Sequence, residues 1–192
     1  MNIFVLDESP IISAQMQCDK HIVKMPLETA QMLCSVFHRH GQGDKVPYKE
    51  AHKNHPCTLW AGDSADNFSW LVQHGMELCF EYTRRYNKIH KCQQVIMDIK
   101  ETDWGKSLDK KRWYRCNASP APHPQCMPDE YKCASDESVL AYRKYYVNDK
   151  KDIAKWEKSR PAPDWYTNKK YRTGYDYHNM REEWVDLDAY DG

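Results

Sequence analysis

The sequence has no long hydrophobic run. Its longest early apolar stretch is residues 3–6, which Asp7 and Glu8 follow directly, and its mean hydropathy is −0.91. A membrane-spanning helix needs about 20 predominantly apolar residues, and a secretory signal needs roughly 7 to 15 apolar residues behind a basic start. The sequence therefore predicts a cytoplasmic protein with no membrane partner.

The sequence also lacks a Cys-x-x-Cys pair. Its eight cysteines lie at irregular spacing, and in a chain without an export signal this pattern favours reduced thiols over disulfides. One alternative brings Cys18 and His21 together with His52 and His55 around a zinc ion. Because neither pair has the turn that usually accompanies a zinc-binding pair, we predict no metal ion and no cofactor.

Net charge is absent as well, since 28 basic residues balance 28 acidic residues. The charges are unevenly distributed, however. Residues 143–172 contain ten basic and four acidic residues among tyrosines and tryptophans, whereas residues 174–192 contain six acidic residues and one arginine. A basic segment with aromatic residues is typical of phosphate contact combined with base stacking. A solvated basic face would have the same pattern.

The spacing of apolar residues predicts an all-α protein with almost no strand. A helical pattern covers residues 9–40, with a kink or break at Pro26 because proline cannot make the helical hydrogen bond. A second helix covers residues 68–91, and a third begins near residue 135 and extends as far as Trp156. These elements predict a single-domain helical architecture.

Two segments lie outside the helical pattern. Closely spaced prolines and large aromatic residues make residues 100–134 an irregular excursion over the surface. The acidic residues 174–192 form a C-terminal tail. We therefore predict one helical domain over residues 1–173, which includes the excursion, followed by the tail.

The first long helical segment carries a polar stripe. At helical spacing His21, Lys24, Glu28 and Gln31 share one face, while apolar residues cover most of the remaining surface. A solvated edge with a Lys24–Glu28 ion pair would produce this pattern. The wall of a polar cleft would produce it too, and there an amine could attack a substrate while a carboxylate protonates it or stabilises charge.

Three groups of motifs carry a family resemblance. The first is Asp19-Lys20-His21 with Glu28 seven residues after the histidine. The second is Lys53-Asn54-His55-Pro56 with the helix that ends in Glu81-Tyr82-Thr83-Arg84-Arg85-Tyr86. The third is Arg160-Pro161-Ala162-Pro163-Asp164-Trp165-Tyr166 with Lys169, Lys170 and Tyr171. Together they resemble the pyrimidine-dimer DNA glycosylases of the endonuclease V type from phages and algal viruses. The chain is also similar to a set of phage proteins that share the first helix and the His-Lys-Asn-His-Pro loop.

The resemblance implies an all-α fold and cleavage of a glycosidic bond through an imine. It implies that Glu28 is the catalytic glutamate. Members of the family attack with the α-amine exposed when the initiator methionine is removed before a small residue, but Asn2 usually leaves Met1 in place. Since an α-amine is neutral more often at pH 7 than a lysine, we expect Met1 to be the nucleophile, with Lys24, if buried, as the alternative.

Substrate contacts are expected from three places. The first is the polar stripe of the first helix, and the second is the loop that precedes the second long helix. The third, which the resemblance places near the damaged bases, is the C-terminal motif. The residues concerned are His21, Gln31, His52, Lys53, Asn54, His55, Trp165, Tyr166, Lys169 and Lys170.

Two functions remain open at this point. The first is a viral or phage protein that recognises a damaged or modified base in DNA and acts as a DNA glycosylase and abasic-site lyase in the host cytoplasm. The alternative is a non-catalytic protein with the same pocket that sequesters a nucleotide-like signal of a host defence pathway. DNA is the partner in the first case, and a nucleotide-like small molecule in the second.

Overall fold

A computed structural model describes residues 1–102 and 121–167 of the protein. Within these residues the chain forms seven α-helices and no strand, which confirms the all-α prediction. Residues 103–120 of the predicted excursion and the predicted acidic tail lie outside the described residues. The helices are α1 (Pro10–Gln15), α2 (Asp19–Arg39), α3 (Pro56–Ala61), α4 (Ala65–Tyr86), α5 (Gln93–Glu101), α6 (Ser138–Asn148) and α7 (Asp164–Thr167), with single 3-10 turns at Gly43–Lys45 and Asp129–Tyr131.

The first helical region begins as predicted but breaks at a different place. The Ser9 side chain caps α1 by accepting a hydrogen bond from the Ile12 N–H. The chain leaves the helical path after Gln15, and α2 then runs from Asp19 through Pro26 to Arg39. Of the kink or break predicted at Pro26, the break is therefore wrong. Pro26 is buried, and the packing of a long amphipathic helix outweighs the one main-chain hydrogen bond that proline removes.

Helices α1 and α2 both pack against α4. The approach of α2 is close at one position, because a Cβ atom added to Gly75 would lie 2.6 Å from Thr29 Cγ2. No side chain fits at that distance without a shift of its neighbour. Helix α4 ends at Tyr86 with Asn87 in the left-handed conformation, φ 52°, somewhat before the predicted end near Lys91. Because Gly75 has no side chain, α4 packs closely against Thr29, the residue that follows Glu28.

Two further helices differ from the sequence prediction. Helix α5 was not predicted, although Ile96 and Ile99 on it are buried. Helix α6 ends at Asn148, so the predicted extension to Trp156 is wrong. The chain from residue 149 to α7 is irregular, and it folds back so that Trp156 Nε1 donates to the Met16 carbonyl at 3.1 Å.

Residues 3–6 run through the core as extended chain and are 0–6% exposed. Side chains satisfy their main-chain groups in place of a neighbouring strand. The Leu6 N–H donates to Ser13 Oγ at 3.0 Å, and the Leu6 carbonyl accepts from Arg143 Nε at 2.8 Å. This buried anchor fixes the position of the N-terminal residues that precede it.

A buried ion cluster joins the start of α2, the end of α4 and the segment before α7. Arg85 donates to Glu81 Oε2 at 2.9 Å and to Asp19 Oδ1 at 3.0 Å, and Arg160 donates to the same Glu81 oxygen at 2.8 Å. The side chains of Arg85 and Glu81 are 0% and 2% exposed. Much of the motif similarity outside Glu28 therefore involves residues that hold the fold together.

Candidate functional site

Glu28 lies on α2 at the point where the N-terminus meets the helix. Its Oε2 atom accepts a hydrogen bond from the Asn2 N–H at 2.8 Å, and the α-amino nitrogen of Met1 is 3.6 Å from the same atom. Its other oxygen lies 3.1 Å from Lys24 Nζ, one helical turn earlier. The carboxylate is thus bracketed by two amines and one amide.

The side chain of Asn2 locks the N-terminus in this position. Asn2 Oδ1 accepts a hydrogen bond from the Tyr142 hydroxyl at 2.7 Å, and Asn2 Nδ2 donates to the Cys126 carbonyl at 2.9 Å. Tyr142 is buried in α6, and its pKa is well above its ordinary value because burial disfavours the phenolate. The hydroxyl therefore keeps its proton, which it donates to Asn2 Oδ1 or to the Pro124 carbonyl 2.9 Å away.

Solvent reaches the main chain rather than the side chain of Met1. The Met1 side chain is 1% exposed, and its sulfur accepts from Thr58 Oγ1 at 3.5 Å, whereas the residue as a whole is half-buried. The accessible part of Met1 is thus its main chain. The Glu28 side chain next to it is 11% exposed.

His55 borders the same site from the start of α3. Its Nδ1 atom accepts a hydrogen bond from the Cys57 N–H at 3.2 Å and caps the helix. Burial, and then the positive charges of the α-amino group and His52, lower the pKa of His55, while the negative charge of Glu28 opposes this effect. His55 is therefore neutral at pH 7 and lies within electrostatic range of the amine.

Apart from Lys24, the remaining predicted residues of the stripe and loop make none of the contacts described above for Glu28. Gln31 is half-buried one turn after Glu28. His52, Lys53 and Asn54 are exposed in the turn before α3, where Lys53 Nζ lies 3.6 Å from a Glu50 carboxylate oxygen. The Lys24 side chain is 68% exposed, so burial does not prepare it as a nucleophile.

His21 does not join this site. Its ring is 5% exposed, stacks on Phe4 with ring centroids 4.1 Å apart, and its Nδ1 is hydrogen-bonded to the Tyr146 hydroxyl. Burial lowers the pKa of His21 to about 3. The expectation that His21 lines a polar cleft is wrong, because the turn of α2 that carries it faces the core formed by residues 3–6 and α6.

The alternative zinc site is also wrong. Cys18 and His21 are buried beside Tyr146, whereas His52 is exposed. In the part of the chain that the structure describes, the side chains that converge with metal-binding geometry are a different group, His55 with Cys57 and Cys126. The seven described cysteines are all free thiols.

The C-terminal motif is not an exposed stacking surface. Trp165 is 2% exposed and Tyr166 5% exposed. Trp165 Nε1 donates to Met16 Sδ at 3.4 Å, and Tyr166 packs on Trp156 with ring centroids 4.6 Å apart. Neither can stack on a base without leaving the core. Lys169 and Lys170 lie outside the described residues.

Sequence reasoning missed the residues that fix the N-terminus. Asn2 was noted only as a departure from a small residue at position 2, yet both its main chain and its side chain hold the site together. Tyr142 and Cys126 are more than 120 residues away along the chain. No local pattern in the sequence indicates that they contact Asn2.

Comparisons with known proteins agree with the resemblance. Residues 1–94, just under half of the chain, match the family model of pyrimidine dimer DNA glycosylases, which confirms the resemblance to that family. The match supports a DNA glycosylase-like function at the level of the family, with DNA as a partner. No curated protein and no solved structure matches the chain. Among the described residues, no helix is long and apolar enough to cross a membrane.

Proposed function

We propose that the protein is a DNA glycosylase with abasic-site lyase activity, acting on a damaged or modified base. The observation that carries the proposal is the pairing of the α-amino nitrogen of Met1 with Glu28 Oε2 at 3.6 Å, within the matched residues. The amine is the nucleophile, and Glu28 is the acid that acts on the sugar. We expect Gln31, His55 and residues 52–54 to contact the substrate around them.

Cleavage of the glycosidic bond uses the α-amine first and Glu28 second. The neutral amine attacks C1′ of the sugar as the glycosidic bond breaks, and the base leaves with the bonding electrons and takes up a proton. The nitrogen bonded to C1′ gives up its two protons, one to the departing base and one to Glu28, and Glu28 passes its proton to the ring oxygen as the C1′–O bond opens, which leaves an imine between the amine and C1′. The base must leave the helical stack to reach such a site.

The Asn2 nitrogen is an amide nitrogen and becomes the α-amine only if Met1 is removed. The Asn2 nitrogen is 2.8 Å from Glu28 Oε2, closer than the Met1 nitrogen. A chain that begins at Asn2 would therefore present its α-amine directly to the carboxylate. The mass of the N-terminal peptide identifies which residue carries the α-amine before activity is interpreted.

Borohydride trapping tests the proposal. The protein is mixed with duplex DNA that contains one abasic site, and separately with ultraviolet-damaged duplex, and borohydride reduces any imine to a stable adduct. We expect an adduct on the N-terminal peptide, lost after N-terminal acetylation and retained in Lys24→Arg, which keeps the charge but cannot form the imine. An adduct that maps to Lys24, or no adduct between about pH 6 and 9, contradicts the proposal.

The untreated and the acetylated protein also distinguish the proposed function from the alternative one. Sequestration of a nucleotide-like signal predicts no adduct, together with saturable binding of mono- or cyclic nucleotides by the untreated and the acetylated protein. Titration with a nucleotide mixture and with duplex DNA separates the two. Tight nucleotide binding without a covalent adduct would replace the glycosylase proposal with the binding one.

A further inference from the structure

Three side chains that commonly bind metals converge beside the N-terminus. His55 and Cys57 lie at the start of α3, and Cys126 lies in the segment that precedes the Asp129–Tyr131 turn. One ligand atom from each lies within 4.8 Å of the others. We propose that His55, Cys57 and Cys126 bind a Zn²⁺ ion, which fastens the segment around Cys126 to the start of α3.

The distance between the two sulfur atoms fits this assignment. Cys57 Sγ and Cys126 Sγ are 3.6 Å apart. Two thiolates on a tetrahedral zinc ion, each about 2.3 Å from the metal, lie roughly 3.8 Å apart, whereas a disulfide would bring them to about 2.05 Å. Zinc binding therefore needs only a small adjustment of the observed arrangement.

The protonation states of the three groups also suit a metal. Cys57 shares a hydrogen bond with Cys126, which raises the pKa of Cys57 and lowers the pKa of Cys126. The pair thus holds a proton that a metal ion can replace. Burial lowers the pKa of His55, so the ring is in the neutral form that binds metal. Binding through Nδ1 would replace the hydrogen bond that this atom accepts from the Cys57 N–H.

The charge of the ion would be balanced within the site. Two thiolates and one neutral imidazole give a zinc complex without net charge, so the ion adds little repulsion to the nearby α-amino group. Three protein ligands leave the fourth tetrahedral position for water or an added ligand. The positive charge of the α-amino group acts to lower the pKa of all three residues.

The site would connect with the N-terminus through Asn2. Cys57 Sγ donates to Asn2 Oδ1 at 3.7 Å, and the Cys126 carbonyl accepts from Asn2 Nδ2 at 2.9 Å. The Cys57 thiol would lose its hydrogen bond to Asn2 on binding zinc as a thiolate, whereas the bond to the Cys126 carbonyl does not involve the thiol. A metal ion that fixes Cys126 would therefore keep Asn2 against Glu28 through this carbonyl.

Metal titration of the full chain tests the inference independently of any glycosylase activity. The reduced, chelator-treated protein is titrated anaerobically with Zn²⁺ against a chromophoric chelator, and in parallel with Co²⁺. We expect one tightly bound zinc ion and, for cobalt, thiolate-to-metal charge-transfer absorption. Cys126→Ser, at a half-exposed position, should weaken zinc binding by at least about 10-fold, as losing a ligand costs no less than losing a supporting residue.

Cys133→Ser is the matched control, because Cys133 is a half-exposed cysteine of the same segment whose thiol donates only to the Tyr131 carbonyl. It should bind zinc as the unchanged protein does. His55→Ala, which keeps both thiols, should also weaken binding. The inference is overturned if the unchanged protein binds no zinc, if Cys126→Ser and Cys133→Ser bind it equally, or if thiol titration and peptide mapping find Cys57 and Cys126 joined in a disulfide.

Discussion

Glu81 on α4 and Glu28 on α2 both lie among cations, but the two environments differ in kind. Glu81 is 2% exposed and binds the guanidinium groups of Arg85 and Arg160. Glu28 faces an exposed lysine and an α-amino group. Guanidinium groups stay protonated and hold fixed geometry, whereas amines exchange protons and form covalent bonds. The first arrangement is suited to stability, and the second to chemistry.

Glu81→Gln gives the largest effect that we predict. The substitution removes the negative charge between two buried or half-buried arginines, and a broken buried ion pair costs about 3 to 5 kcal/mol of the free energy of unfolding. Urea denaturation of the variant and the unchanged protein measures this loss. A loss below about 1 kcal/mol would mean that the cluster contributes no more than a surface ion pair.

Low pH should have the second-largest effect, a decrease in the free energy of unfolding. Burial lowers the pKa values of His21, His74 and His123 to about 3, against about 6.5 in the unfolded chain. Below pH 6.5 the unfolded state therefore binds protons that the folded state does not, so stability is full above that pH and falls as the pH decreases towards 3. Between pH 7 and 5.5 each histidine should cost about 1 kcal/mol.

Urea denaturation across this pH range checks the dependence. His123→Gln should reduce the pH dependence by about one third, since one of three linked protons is lost. His52→Gln, at an exposed position, should leave it unchanged. Equal slopes in all three proteins would show that the buried histidines do not control the acid sensitivity.

Gly75→Ala tests the close contact that supports Glu28. The added methyl group would lie 2.6 Å from Thr29 Cγ2, and such overpacking costs about 1 to 3 kcal/mol, of which better helix propensity returns up to about 1. We expect a net loss of about 1 kcal/mol in urea denaturation and a lower yield of the DNA adduct. Gln73→Ala, at an exposed site of the same helix, is the control and should change neither.

The sequence predicted the elements of the fold better than it predicted their roles. Apolar periodicity located α4, and Ser9 with Pro10 marked the start of α1. Periodicity also placed Lys24 and Glu28 on one face. It did not distinguish His21, on the same stripe, from its neighbours, because burial of His21 depends on contacts with Phe4, outside the helix, and with Tyr146, 125 residues away. The aromatic C-terminal motif was predicted to be a binding surface for a similar reason, because the burial of Trp165 and Tyr166 depends on tertiary contacts with Met16 and Trp156.

Glu28→Gln is the counterpart of Glu81→Gln. The amide can still accept the hydrogen bond from the Asn2 N–H, and the Lys24 side chain that loses its partner is 68% exposed, so we expect a stability loss below about 1 kcal/mol. It should nevertheless abolish DNA cleavage. Cleavage assays and urea denaturation of the same preparation separate the two effects, and a stability loss above about 3 kcal/mol would identify Glu28 as part of a buried structural pair.

Lys24→Ala should have the smallest effect. The Lys24 side chain is 68% exposed and pairs with Glu28 at the helical spacing of four residues, an interaction worth about 0.3 to 0.5 kcal/mol in water. Alanine also has a slightly better helix propensity than lysine, so the net change in urea denaturation should be within a few tenths of a kcal/mol. Imine formation should persist, because the α-amine remains beside Glu28.

The same substitution, Lys24→Ala, should weaken binding to duplex DNA modestly. The difference in affinity from the unchanged protein should shrink as salt is raised, since one exposed cation is lost. Salt titrations of both proteins measure this difference. A DNA affinity that Lys24→Ala leaves unchanged at low salt would show that this exposed face of α2 does not contact the phosphate backbone.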